Sequence, residues 1–221
     1  MNQKMKIEVW SDVACPFCYI GKKKLESALS SFESKEQVEV VWKSYQLDPQ
    51  IADSSQNAID YLSLKKGIPS NKVLEMMAGV RQMASSEGLI MHPEKAIVAN
   101  SFDAHRLSHL ANKYGVQNEM EELLFEAYFK EGKNISDKKI LLALADKAGI
   151  DHKEAQNVLN SYLYTSDVED DIREGNALGV RGVPFFVFNR TYAISGAQDA
   201  QVFENTLKRS FKEWNEKVIT K

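Results

Sequence analysis

The sequence has 221 residues, 43% of them hydrophobic and 27% charged, which suits one large compact domain or a small domain carrying an insertion and excludes a disordered chain. Lys and Arg number 28 against 31 Asp and Glu, for a net charge of -3. No broad basic surface exists to hold a phosphate backbone or an anionic leaflet, so neither nucleic acid nor membrane is an expected partner. The longest apolar runs, such as residues 140–145, fall far short of the ~20 residues that span a bilayer.

Near the start, Glu8 and Asp12 interrupt the ~7–15 apolar residues that a secretory signal needs, so the chain reads as a cytoplasmic protein. Residues 6–10 alternate as a short strand, and residues 17–32 place Phe17, Leu25, Ala28, Leu29 and Phe32 on one helical face. Residues 38–47, rich in Val, Trp and Tyr, read as a second strand that Asp48-Pro49 stops. This opening is β-α-β, and its two strands are expected to run parallel.

From residue 57 to residue 167 the period is helical. Gly67, Gly88, Gly115, Gly132 and Gly149 stand where a left-handed residue closes a helix. Residues 138–148 put Ile140, Leu141, Leu144, Ala145 and Ala148 on one stripe, and Asp151 with Glu154 has the spacing of an N-terminal capping pair. A further amphipathic helix covers residues 168–178. Residues 185–189 and 191–195, meeting at Asn189-Arg190, read as a hairpin. The last helix, residues 199–218, spaces Val202, Phe203, Leu207, Phe211 and Trp214 for burial. The order β-α-β, helical block, α-β-β-α divides the chain into an α/β domain of residues 1–56 and 168–221 and a helical insertion domain of residues 57–167. Trp42, Tyr45, Tyr61, Phe102, Tyr128 and Phe129 are expected to fill the core and the seam between the two.

Both cysteines of the chain, Cys15 and Cys18, sit in one Cys-Pro-Phe-Cys motif, so no secreted-style disulfide framework can be drawn. The motif falls where a strand ends and a helix begins, and Pro16 suits the first helical turn because its missing N–H is not needed there. Cys15 then faces unpaired backbone N–H groups and the positive end of the helix dipole. In such sites the thiol pKa falls from about 8.5 into roughly 3.5–7.5. Cys15 is thus the expected nucleophile. Cys18, three residues on and on the same face, is the expected resolving thiol. A disulfide closing so short a loop removes only about 2 kcal/mol of unfolded-chain entropy, so exchange suits the pair better than stapling. Zinc normally takes four ligands, and the remaining candidates are His92, His105, His109 and His152. His105 and His109 lie far along the chain and read as a partly exposed helical face, so no metal site is expected. Val183-Pro184 opens a strand. A cis bond there turns the Val183 carbonyl and N–H outward to an extended peptide or to glutathione, although the dipeptide alone reads as a trans turn.

Taken together, Ser11-Asp12, Cys15 through Gly21, Tyr45 through Pro49, Ala104-His105-Arg106, Gly182 through Phe186 and Ser195 through Gln198 resemble thioredoxin-fold proteins of the DsbA family, and within it the cytoplasmic FrnE-type branch. The resemblance implies a thioredoxin fold with a large all-helical insertion, Cys15 and Cys18 as the redox pair, Pro184 as a cis-proline facing it, and Val183 offering backbone bonds to substrate beside Pro16 and Phe17. The chain departs from the pattern at Val9, where many thioredoxin-fold enzymes carry a buried acid. Asp12 is then a candidate for moving the Cys18 proton, beside the plainer reading, which we favour, of a loop carboxylate. Gln198, with Gly196-Ala197, opens the last helix and either accepts a carboxylate such as that of glutathione or serves only as a turn. Arg181 either adds positive charge near the sulfurs or is solvated.

The expectation is a cytoplasmic thiol-disulfide oxidoreductase acting on a disulfide- or thiol-containing protein or small molecule. It binds no metal, nucleotide or flavin, and takes glutathione at most as a co-substrate. In a reducing compartment its direction is reduction or isomerisation. Two other readings stand beside it. One is a glutathione-dependent isomerase or transferase, similar to 2-hydroxychromene-2-carboxylate isomerase and the kappa-class transferases, although those usually carry serine where Cys15 stands. The other is a non-catalytic peptide-binding chaperone. Oligomeric state is not legible in the sequence.

Overall fold

The computed structural model describes residues 4–51 and 56–219. Its first strand, β1 (Met5–Ser11), is buried at every position but Lys6, and a strand apolar on both faces belongs inside a sheet. It runs parallel to β2 (Val38–Ser44), with Val9 opposite Trp42, and antiparallel to β3 (Phe185–Phe188), with Val9 opposite Phe186. With β4 (Tyr192–Ser195) the order is β2-β1-β3-β4. The parallel opening is thus as expected, although β2 stops at Ser44, three residues early. The hairpin turns through residues 189–191, between the paired Phe188 and Tyr192, and Asn189 and Arg190 there have φ angles of 48° and 54°, the left-handed conformation that tight hairpin turns use. Arg190 also bonds the buried Glu8 carboxylate, which gives that charge a partner inside the sheet.

Alternation along the strands separates two faces. On one, α1 (Pro16–Ser30) and α9 (Ala200–Ile219) bury Leu25, Ala28, Phe203, Leu207, Phe211 and Trp214 around Phe186 and Phe188. On the other, α8 (Thr165–Ala177) covers Trp10, whose indole donates to the Asp171 carbonyl at 2.8 Å. Gly175 permits that approach, since a Cβ there would stand 2.7 Å from Trp10 Nε1.

Between β2 and α8 run α2 (Ala58–Lys66), α3 (Ser70–Ser86), α4 (Phe102–Lys113), α5 (Gln117–Phe125), α6 (Lys138–Lys147) and α7 (His152–Leu159). The glycines at 67, 88, 115, 132 and 149 have φ between 64° and 79°, as their helix-ending role requires. Asp151 Oδ1 caps α7 by accepting from Glu154 N at 2.9 Å. The insertion also seals the sheet edge: the Gln117 amide accepts from Trp42 N and donates to Trp42 O, both at 3.0 Å. A β2 edge with unpaired backbone groups would otherwise invite another strand.

Helix α1 belongs to both cores. Leu25 and Ala28 face the sheet, whereas Tyr19 and Ile20 join the core of the insertion. Tyr19 stacks on Phe125 at 5.0 Å, and buried Lys22 pairs with Glu26 and, at 2.6 Å, with Glu122. Several positions differ from the sequence reading. Phe17, on the first turn of α1, is 40% exposed. Val202 is likewise exposed, being on the first turn of α9. His105 turns inward and faces Asp12, whereas His109 stays partly exposed, as expected, while reaching Ser44 and Asp171.

Candidate active site

Cys15 is the N-cap of α1, with extended backbone and Pro16 directly after it. Its N–H donates to Asp12 O at 2.9 Å, and its carbonyl accepts from Cys18 N at 3.0 Å, so the cysteine loop is closed before the helix begins. Cys15 and Cys18 approach to 3.6 Å as free thiols. Cys15 is 3% exposed and Cys18 is sealed from solvent. Burial, and then the adjacent Cys15 sulfur, pushes the Cys18 thiol well up. The Asp12 backbone N–H and the Ser11 hydroxyl favour its thiolate but are outweighed.

Across from the pair, the Val183–Pro184 peptide is cis, and Cys15 Sγ donates to Val183 O at 3.5 Å. Val183 N–H has no partner among the described residues. The approach of α1 to this segment depends on Gly21, where a Cβ would meet Pro184 Cγ and Phe186 Cζ at 3.0 Å. Gln198 and Arg181 stand elsewhere. The Gln198 amide turns back onto Ser195 O at 2.8 Å, Arg181 is exposed, and neither lines the cavity at Cys15.

That cavity, of about 300 Å³, is floored by Cys15, Pro16 and Phe17 and walled by Val73, Met76, Met77 and Val80 of α3. Tyr128 and Phe129 close its end, from the π-helical turn Glu126–Lys130. A neighbouring cleft of about 490 Å³ shares Ala14, Leu47, Ala58, Leu62, Lys66 and Tyr128 with it and adds, among others, Asp12, Asp48, Tyr61, Lys65 and Ser101. Tyr61, expected as core, is at this cleft and donates to Asp48.

Asp12 is a loop carboxylate, as favoured from the sequence, but a buried one. It accepts from Ala14 N at 3.1 Å and Leu47 N at 2.8 Å, and its Oδ1 lies 3.7 Å from His105 Nε2. Burial alone raises a carboxyl, but His105 and the two N–H groups outweigh it and hold Asp12 below its ordinary value. Burial lowers an imidazole, and Asp12 outweighs that, so His105 is held above its ordinary value. At 2% exposure, His105 is the residue that spacing alone misread; its only signal was its place in Ala104-His105-Arg106. Sequence reading also missed the α3 wall, although Val73, Met76, Met77 and Val80 repeat at i, i+3, i+4 and i+7.

Ser44, His109 and Asp171 lie together, but both contacts, at 3.2 and 3.1 Å, use the same Nε2 atom. A nucleophile-base-orienter relay needs both ring nitrogens, so the cluster is a structural tie. No group of three or more His, Cys, Asp or Glu able to hold a metal occurs among the described residues. None of their helices is long and apolar enough to cross a membrane.

The family model described as DSBA-like thioredoxin domain matches residues 6–208. A probable DsbA oxidoreductase from Streptomyces coelicolor is 37% identical, over 95% of this chain and 91% of that one, with a TM-score of 0.90. The uncharacterized protein YwbO of Bacillus subtilis (strain 168) is 27% identical over 209 residues, 91% of this chain and 94% of its own length. The cytosolic disulfide reductase DsbM from Pseudomonas aeruginosa, solved with GSH, shares the fold at 16% identity and a TM-score of 0.63, over 96% of this chain and 98% of that one.

Proposed function

Because the chain belongs to the DSBA-like thioredoxin domain family, whose members are thiol oxidoreductases, we propose that it exchanges disulfides through Cys15 and Cys18. The Cys15 thiolate attacks one sulfur of a partner disulfide. The partner S–S bond breaks, its other sulfur leaves as a thiolate and takes up a proton, and Cys15 is left in a mixed disulfide. Cys18 then gives up its proton and attacks the Cys15 sulfur, which frees the partner as a thiolate. The partner is reduced by two electrons and the chain holds a Cys15–Cys18 disulfide.

The observation that carries this reading is the pair of free thiols 3.6 Å apart at the N-terminus of α1. Of the two, Cys15 lines a cavity and Cys18 does not. Val183, whose N–H has no partner among the described residues and whose carbonyl Cys15 already reaches, supplies the backbone groups to hold an extended substrate. The burial of Cys18 supports the resolving role, since a sealed thiol cannot meet a partner first.

We place the protein in the cytoplasm, where the pair rests reduced and the direction is reduction or isomerisation of client disulfides. Two glutathione thiols, oxidised to one glutathione disulfide, return the pair to the dithiol. That a reductase of the same fold was solved with GSH supports this donor. None of these steps requires a metal, nucleotide or flavin. Turbidity from insulin-disulfide reduction, with glutathione as donor, tests the reading. Wild type accelerates it and Cys15→Ser does not; equal acceleration by both contradicts it.

A further inference from the structure

Cys18 is sealed, yet one polar group beside it is idle. Ser11 ends β1 at 2% exposure, and its Oγ makes no hydrogen bond among the described residues. Alternation along β1 sets Ser11 on the face of Ile7 and Val9, the face that α1 covers, and the sulfur its hydroxyl meets there is Cys18. Two other buried side-chain polar atoms among the described residues lack a hydrogen bond, His105 Nε2 and Glu121 Oε2. Each has a charge close by: Asp12 Oδ1 stands 3.7 Å from the first, and His105 acts on the second. Ser11 faces a group that burial keeps neutral at rest.

A buried hydroxyl without a partner is costly to hold, and a thiol sulfur accepts a hydrogen bond only weakly. A thiolate accepts strongly. Resting on the exchange reading above, we propose that the Ser11 hydroxyl and the Asp12 N–H form a two-donor cradle for the Cys18 thiolate, which makes Ser11 a catalytic residue of the step in which Cys18 resolves the mixed disulfide. In that step the Cys18 S–H bond breaks and its sulfur attacks Cys15 Sγ. The Cys15–Cys18 bond forms as the bond from Cys15 to the partner breaks, and the partner sulfur leaves with the electron pair. The Cys18 proton passes to that sulfur or to water, whichever is the stronger base. Ser11 keeps its own proton and turns it toward the charge. Its hydrogen bond is strong while Cys18 is charged and nearly absent in the dithiol and the finished disulfide, so it lowers the barrier without deepening either resting state.

Asp12 divides its work. Its backbone N–H faces Cys18, whereas its carboxylate is taken up by Ala14 N, Leu47 N and His105. The other titratable groups around this sulfur are Cys15 and, beyond Asp12, His105, Glu121 and Tyr128, and substitution of Ser11 leaves all of them in place.

Both steps are seen in one stopped-flow trace with dithiobis(2-nitrobenzoate) on the reduced protein. Attack by Cys15 releases one coloured thiolate in a phase whose rate rises with reagent concentration. Attack by Cys18 on the Cys15 adduct releases a second in a phase independent of that concentration. In Ser11→Ala at neutral pH the first phase stays within about twofold of the parent and the second slows about tenfold or more. Its urea midpoint equals or exceeds that of the parent, since the hydroxyl removed had no hydrogen bond to lose. Ser11→Thr and Ser11→Val share one branched shape and differ in the hydroxyl, so whatever strain they add is common to both. The second phase is about tenfold faster in the Thr variant.

A second phase in Ser11→Ala within twofold of the parent, or equal second phases in the Thr and Val variants, overturns the cradle. A urea midpoint that falls together with both phases assigns Ser11 to packing and overturns it as well. If the parent shows no second phase, Cys18 does not resolve and the exchange reading itself has failed. The cradle is then judged in Cys15→Ala, whose one thiol is Cys18, by NMR titration of the labelled cysteine Cβ. Adding Ser11→Ala makes that thiol about tenfold less acidic, and an unchanged midpoint overturns the cradle.

Discussion

Cys15 and Cys18 are three residues apart and live in opposite surroundings. Around Cys15 the protein is unfinished: a cavity, exposed Phe17 and Met76, and a Val183 N–H without a partner among the described residues. Around Cys18 it is complete. The sulfur is sealed, Asp12 and Ser11 face it, and Asp12 is tied in turn to Ala14, Leu47 and His105. One helical turn at the meeting of two cores thus turns identical thiols into a group that meets partners and a group that waits.

The largest break in that comparison comes from the sulfurs themselves. Cys15→Ser lowers exchange by roughly a thousandfold, whereas Cys18→Ser keeps the first step and stalls as a mixed disulfide; stopped-flow rates of each step separate them. Next is the sealed side. Asp12→Ala strips two backbone N–H groups and a buried imidazole of their partner, and is expected to cost about 2–5 kcal/mol in urea unfolding at neutral pH.

The Asp12–His105 pair also sets a pH window. Asp12 is held below its ordinary value near 3.8, so its contribution is present above that value and is lost as pH falls through the lower folded one. His105 is held above its ordinary 6.5, so its contribution is complete below 6.5 and fades as pH rises through the folded value. Stability from the pair is therefore full between about pH 4 and 6.5. Groups facing it are the Tyr45 backbone and Glu121, whose own carboxyl burial pushes up, together with Tyr128 near Asp12. Asp12→Asn is expected to flatten the acid limb and His105→Gln the alkaline limb, as read from urea midpoints across pH 3–9.

A smaller effect is expected at the point where the two sides meet. Gly21→Ala presses on Pro184 and Phe186 and lowers stability by about 1–3 kcal/mol, with slower exchange as α1 is levered away from Val183. Smallest of all, Lys72→Ala removes an exposed ion pair with Glu75 on α3 and leaves melting temperature and exchange rate unchanged.

What was legible in the sequence was what is local. Strand alternation, the five helix-ending glycines, the Asn189-Arg190 turn and the Cys-Pro-Phe-Cys motif each announce themselves within a few residues. Helical periodicity misplaced Phe17 and Val202 because spacing gives the face a residue is on and not what is packed against that face at the helix end. The partner of Asp12 is 93 positions away, and the cavity wall on α3 faces Cys15 only because α1 joins the insertion core through Tyr19 and Ile20. Contacts across such distances leave no spacing to read. Gln198 shows the same limit in reverse, since its position invited a ligand and its amide had a nearer acceptor in Ser195.

The central claim is that Cys15 reacts first and Cys18 second. Peptide mapping by mass spectrometry, after reduced wild type, Cys15→Ser and Cys18→Ala are each mixed with one disulfide-bearing peptide, tests it most directly. The account predicts a lasting adduct on Cys15 in Cys18→Ala, a Cys15–Cys18 disulfide in wild type, and no adduct in Cys15→Ser. An adduct forming on Cys18 as readily as on Cys15 contradicts it.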